Sequence, residues 1–319
     1  MLTICTQNFQ LPSHQPTCVT IGNFDGVHRG HQSLLREVCQ AAKKEGAVAA
    51  VITFDPHPRH FFQTTHTPFL LTSPKQRLTQ LAAHGIDLCL VLPFNAHIAA
   101  LSPHDFVQRH LAPLSPAQLF VGKGFRFGHQ RSGTTDDLMR LGQTFGFAVN
   151  CLEPLDDTQV PISSTRIRAA IQEADIALAT KLLGRPYSLQ GRIVRGDRRG
   201  RALGFPTANL GPVPGLVPPD GIYCTSLWRT HESRARPALT SIGHRPTFYS
   251  AKEGQVVVET FLIDTTPQLD LYGEEVEVAF HTKLRDQHFF PSEDALIAQM
   301  HRDLHQAQGW HSQHRLAND

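Results

Sequence analysis

The segment TIGNFDGVHRGHQSLL at 20–35 sets two imidazoles, His28 and His31, on either side of Gly30, just ahead of a helical pattern. Imidazoles are directional donors, and the free N–H groups and dipole of a helix start favour an anion. Gly22, Gly26 and Gly30 let the backbone approach a ligand closely. The segment reads as a phosphate-binding turn built from Gly22, Phe24, Asp25 and Gly30, with His28 and His31 at its chemical centre. A second helix start, ISSTRIR at 162–168, offers hydroxyls from Ser163, Ser164 and Thr165 and charge from Arg166 and Arg168, although by itself an ordinary N-cap with solvated arginines fits it better. Two anion-ready helix starts fit a polyphosphate reaching across both.

A different constellation lies in GDRRGRALGFPTANL at 196–210. Gly196, Gly200 and Gly204 allow a loop to wrap phosphates with its N–H groups, and Arg201 adds charge. Pro206 fixes the backbone ahead of Thr207, whose hydroxyl is a hard oxygen ligand suited to Mg²⁺; Asn209 can reach the same ion or a phosphate. A plain basic surface turn fits as well. RNA binding through Arg198, Arg199 and Arg201 lacks the aromatic stacking platform it needs. Glu259 interrupts the apolar run VVVETFLID. It is either an outward-facing strand residue or a general base acting on an alcohol.

Two patterns of elements carry these groups. Strand and helix signals alternate through the first half: strands at 18–24, 47–54, 88–94, 118–122 and 147–152, and helices at 32–46, 73–85, 102–111 and 136–146. Such alternation predicts an α/β, Rossmann-like parallel sheet with helices on both faces. A single long helix at 164–184 closes a first domain over 1–184. From Tyr187 the chain shows alternating strand runs separated by turn residues, with no helix until 292–304, which predicts a small antiparallel β-barrel over 185–310 with a C-terminal helix. PTAN reads as the end of a loop, and the polar tail after 304 reads as frayed.

GNFDGVHRGH and ISSTRIR, with TFDPHPR at 53–59 and GFRFG at 124–128, resemble the adenylyltransferase module of the bifunctional riboflavin kinase/FMN adenylyltransferase family, an H-x-G-H nucleotidyltransferase. The resemblance implies that His28, His31, Ser164, Thr165 and Arg168 hold ATP phosphates and that the segment around 56–58 faces a flavin. LGRPYSLQGRIVRG, GRALGFPTANL, DGIY, SIGHRPTF, VETFLID, DLYG and KLRDQHFFPSEDAL follow in the order of the riboflavin kinase module. That likeness implies a closed barrel, with Thr207 and Asn209 as Mg·ATP ligands. It makes Glu259 the base for the riboflavin 5′-hydroxyl and puts Arg285 near the flavin. The implied chemistry is phosphorylation of riboflavin to FMN, then adenylylation of FMN to FAD with release of pyrophosphate. Two positions depart from the family pattern: Gly124 and Thr134 stand where acidic residues are usual, with Asp136 and Asp137 close behind. A riboflavin kinase with a weakened first domain is therefore the alternative reading.

The bulk numbers set bounds. A chain of 319 residues suggests two domains. A hydrophobic content of 40% with 18% charged residues suits a globular protein with buried cores. A net charge of +2 argues for neither nucleic acid nor membrane as partner, so small molecules are the expected partners. No apolar run approaches the ~20 residues of a membrane span, and MLTICTQNFQ has no secretory pattern. Six scattered cysteines without a C-x-x-C pair point to reduced thiols and a cytoplasmic location.

Overall fold

The computed structural model describes residues 1–4, 15–63, 68–196, 204–230, 232, 234–244, 256–263 and 270–315. Internal contacts divide the chain into two units, Met1–Thr67 with Pro74–Ser163 and Pro68–Ser73 with Ser164–Asp319. No described helix is long and apolar enough to cross a membrane.

The apolar runs of the first unit become β1 (Leu2–Ile4), β2 (Thr17–Ile21), β3 (Val48–Phe54), β4 (Leu88–Leu92), β5 (Pro116–Gly122) and β6 (Ala148–Leu152). They form one sheet in the order β1-β4-β3-β2-β5-β6, with every neighbouring pair parallel. β2 and β4 are buried at every residue, as strands covered on both faces must be. One core layer gathers Ile52, Leu90, Leu119 and Phe106; the other gathers Leu35, Val38, Val51 and Leu81. Around the sheet run α1 (Arg29–Glu45), α2 (Pro58–Phe62), α3 (Pro74–Ala83), α4 (Ala96–Ala99), α5 (Pro103–Phe106) and α6 (Thr135–Phe145). The strand order reverses at β2: the chain runs from β2 to β3 and β4 on one side and then crosses to β5 and β6 on the other. The carboxyl end of such a strand is where open α/β sheets bind ligands, and the histidine-bearing turn follows Ile21 there.

The segment predicted as one helix over 102–111 instead continues from α5 into a π-turn, Val107–Leu111. This turn carries His110, which is 3% exposed, with neither ring nitrogen partnered and its ring 5.6 Å from Phe106. Burial, then His97 and Arg109, push its pKa down from 6.5 to about 4. A base held neutral by the fold stabilises it above the unfolded pKa and loses that contribution as pH falls toward the folded one. Urea midpoints of the first unit are expected to drop between pH 7 and pH 5 by an equivalent of about 2 kcal/mol from this residue. His110→Phe should flatten that profile, and an unchanged slope would refute the assignment.

In the second unit the predicted helix at 164–184 is two helices, α7 (Ser164–Gln172) and α8 (Ile176–Leu183). Ala174 turns into the left-handed region (φ 59°), and Asp175 caps α8 by accepting from the Leu178 N–H at 2.9 Å. Helical periodicity survives such a break, so hydrophobic spacing alone does not reveal it. The barrel comprises β9 (Tyr187–Val194), β10 (Thr207–Leu210), β11 (Gly221–Arg229), β12 (Arg236–His244), β13 (Val256–Leu262) and β14 (Glu275–Arg285). It closes in the order β10-β13-β12-β11-β14-β9, antiparallel throughout. PTAN is thus a barrel strand from Thr207 on. Inside, the hydroxyls of Thr225, Thr240 and Thr260 bond in a chain at 2.8 and 3.0 Å, so buried polar atoms are satisfied.

The tail that reads as frayed is instead helical: α9 spans Glu293–Arg315. Trp310 stacks on His281 at 4.6 Å, and Asp303, 2% exposed, accepts a forked pair from Arg285. These contacts offset the ordering cost of a polar segment.

Candidate functional site

In the first unit the turn after β2 is built around a cap. His28 is the N-cap of α1, and its Nδ1 accepts the His31 N–H at 3.3 Å. With Nδ1 occupied as acceptor, the proton of a neutral His28 ring sits on Nε2, which makes that atom a donor. The His31 ring stacks on His28 at 3.7 Å and 17°, with Phe24 5.1 Å from His31. Burial, then His28, hold the His31 imidazole well below its ordinary pKa, and its Nδ1 is buried without a partner. Burial disfavours a charged His31 ring, so what that ring offers an incoming anion is a neutral N–H donor.

A cavity of about 820 Å³ opens beside these rings. Gly22, Phe24, His28, Gly30 and His31 line one end. The other end is aromatic: Phe62, Phe94, Phe54, Phe106, Phe127 and Phe125 line it as a connected series, with successive ring centroids 5.6–6.4 Å apart. Phe62 is 67% exposed, an apolar ring open to solvent at the mouth. His57 and Pro58 also line the cavity, which puts part of the TFDPHPR segment there. The exposed pair Lys123–Glu153, at 2.9 Å, lies on the rim. Asp25, although predicted among the binding residues, is 2% exposed and is not part of the lining.

The two departures from family pattern have local explanations. Gly124 has φ 78°, a left-handed conformation that any side chain would strain. Thr134 caps α6, in a capping box with Asp137, the job an acidic residue does equally well at that position.

Ser163 ends the first unit, one residue past the cavity-lining Ile162. Ser164, Thr165 and Arg168 open α7 in the second unit. Arg168 Nε donates to the Phe69 carbonyl at 2.8 Å, and its guanidinium lies over the Phe69 ring at 5.3 Å.

On the barrel, Asn209 of β10 faces Glu259 of β13 directly in register, and Glu259 faces Ser241 of β12. Opposed residues share a face, and so do residues two apart along a strand, so Thr207 joins this group. Asn209 is 7% exposed and Glu259 half-buried. Gly196 makes room for the Asn209 amide: a Cβ there would sit 2.6 Å from Oδ1, inside any tolerable contact. Gly204 (φ 81°) and Pro206 lead into β10. Gly200 and Arg201, with Arg198 and Arg199, lie outside the described residues. The same row continues from Ser241 through Ile222 to Arg285. β14 lies three strands from β13 in either direction round the closed barrel, so Arg285 is on the opposite side from Glu259; its guanidinium is engaged by Asp303 and lies 5.7 Å from the Phe290 ring. Among the described residues no group of three or more His, Cys, Asp or Glu is arranged to hold a metal. A hydroxyl, an amide and substrate phosphates make the more natural Mg²⁺ shell.

Comparison with known proteins agrees with both units. Residues 10–166 match the family described as FAD synthetase, and residues 183–311 the family described as riboflavin kinase. The bifunctional riboflavin kinase/FMN adenylyltransferase of Pseudomonas fluorescens is 37% identical over 294 residues, 92% of each chain. The protein of that name from Escherichia coli strain K12 is 37% identical over 291 residues, 91% of each. A crystal structure from Streptococcus pneumoniae, described as a macrolide-efflux protein, has a TM-score of 0.86 at 30% identity, covering 97% of this chain and 100% of that one. With both family matches in one chain and that identity carried over nine-tenths of each relative, this chain belongs to the bifunctional riboflavin kinase/FMN adenylyltransferase family.

Proposed function

We propose that this chain phosphorylates riboflavin with ATP to give FMN and then adenylylates FMN with a second ATP to give FAD and pyrophosphate. The observation that carries the reading is the two-ended cavity of the first unit, imidazoles at one end and phenylalanines at the other. The imidazole end, with Gly22 and Gly30, suits a triphosphate. The aromatic end suits an isoalloxazine, a flat apolar ring system that gains from offset and edge contacts. A phosphate oxygen of FMN there attacks the α-phosphorus while pyrophosphate leaves, and the His28 Nε2–H and the His31 ring donate to the charge that develops. Ser163, Ser164, Thr165 and Arg168 are phosphate-binding residues in this reading, on the strength of the ISSTRIR resemblance, and a functional boundary near 184 separates the two activities.

In the barrel, Glu259 takes the proton from the riboflavin 5′-hydroxyl as that oxygen attacks the γ-phosphorus, and ADP leaves. Thr207 and Asn209 would hold Mg²⁺, whose charge offsets that of the triphosphate. Gly196, Gly204 and Pro206 shape the loop ends that approach the phosphates, with Gly200 and Arg201 between them in the chain. Arg285 orders the flavin-side segment through Asp303. The chain works in a reducing cytoplasm in this reading, in keeping with five free described cysteines.

Family matches over both units favour two activities over the alternative of a riboflavin kinase with a weakened or inactive first unit. Incubation with riboflavin and MgATP, with products separated over time, tests the reading. FMN followed by FAD is expected. FMN alone would restrict the activity to the barrel, and neither product would overturn the proposal.

A further inference from the structure

One buried cation has no part in the chemistry described so far. Arg77, on α3, is 4% exposed. Its Nη1 donates to the Asn23 carbonyl at 3.2 Å, and its Nε is buried without a partner. Thr53 Oγ1 donates to that same carbonyl at 3.2 Å. Two side chains from separate elements therefore pin one peptide of the turn that leads to His28.

That turn needs pinning. Phe24 (φ 49°), Gly26 (φ 84°) and Val27 (φ 38°) all take positive φ within four residues. A β-branched residue there is costly, and a conformation of this kind persists only when its surroundings over-determine it. The interactions of Arg77 reach further than the turn. Burial pushes its pKa down, while Asp55 and Asp25 act electrostatically to hold its charge. Asp25 belongs to the turn after β2. Asp55 follows β3 and leads into His57, Pro58 and Phe62, the aromatic side of the cavity. The hydrogen bonds tie the Asn23 peptide to α3 through Arg77 and to β3 through Thr53, one residue before the cavity-lining Phe54.

We propose that Arg77 is a positioning residue for adenylyl transfer, fixing the imidazole-bearing turn against α3 and the end of β3, where Phe54 begins the aromatic end of the cavity. It touches no reacting atom; it sets the separation between the triphosphate donors and the flavin wall. This rests on the adenylyltransferase reading of the first unit. A small misplacement of one end relative to the other lowers the rate of an in-line displacement steeply.

The test uses the full chain with Arg77→Met and Arg77→Lys. FAD formation from supplied FMN gives kcat and KM, riboflavin phosphorylation in the same preparation serves as an internal control, and imidazole NMR shifts report His28 and His31. Arg77→Met is expected to lower kcat for FAD formation by about 100-fold, with KM changed by less than about threefold. The His28 and His31 resonances should move, and phosphorylation should stay within about twofold. Arg77→Lys keeps a charge and a donor and should recover at least about tenfold of the loss. Unmoved imidazole resonances in Arg77→Met would overturn the proposal. So would a fall of both activities together in both variants, or an equal loss in Lys and Met. If the unsubstituted chain makes no FAD, the adenylyltransferase reading fails by itself, and the imidazole shifts still decide whether Arg77 positions the turn.

Discussion

Glu259→Gln is expected to lower FMN formation by about 10²–10⁴-fold while FAD formation from supplied FMN stays within about twofold. The substitution is close to isosteric, and the backbone pairings of β13 with Asn209 and Ser241 do not depend on the side chain. A half-buried carboxamide at this position costs the barrel little. What it cannot do is accept a proton from an alcohol. If Glu259 only decorated the barrel surface, the rate would hardly change; a Gln variant with near-native kinase turnover would remove the general base from the mechanism. A loss confined to KM would instead make Glu259 a binding group.

The imidazole end of this design was legible from sequence because its logic is local. A buried run, a glycine-rich turn and an amphipathic helix are contiguous, so imidazoles near a helix start follow from neighbours alone; that the helix begins at Arg29 rather than 32, with His28 as its cap, does not. The opposition of Asn209 and Glu259 is a different kind of fact. Fifty residues separate them, and only strand register joins them, which no periodicity encodes. PTAN hides its strand character for the same reason: four residues after a proline look like a turn until barrel closure supplies two partners. The aromatic wall was illegible as a wall. Its six phenylalanines come from the ends of several strands and short helices, each looking like an ordinary core residue where it stands. The C-terminal tail misled because polar composition says nothing of a tryptophan that stacks between histidines of the barrel and of its own helix. Asp25 was legible as part of the motif, but its near-complete burial was not, since burial depends on packing that the motif does not encode.

The complementary expectation concerns the first unit. His28→Ala combined with His31→Ala should lower FAD formation by about 10³-fold or more, since a single preorganised donor is typically worth about 10²–10³, while leaving riboflavin phosphorylation within about twofold. His28 complicates the experiment because it also caps α1 through Nδ1. Losing a cap costs about 0.5–2 kcal/mol, so part of any effect of the double variant is destabilisation. His28→Asn separates the two roles. Its side-chain oxygen can accept the His31 N–H as Nδ1 does, and Asn ranks among the best capping residues, but it cannot reproduce the Nε2 donor at the same reach. If the cap alone mattered, His28→Asn would restore adenylyl transfer. If the donor matters, His28→Asn should match the native thermal midpoint while keeping most of the rate loss. Full FAD turnover in the double variant, or parallel loss of both activities in His28→Asn, would mean that the stacked imidazoles do not form an independent triphosphate site.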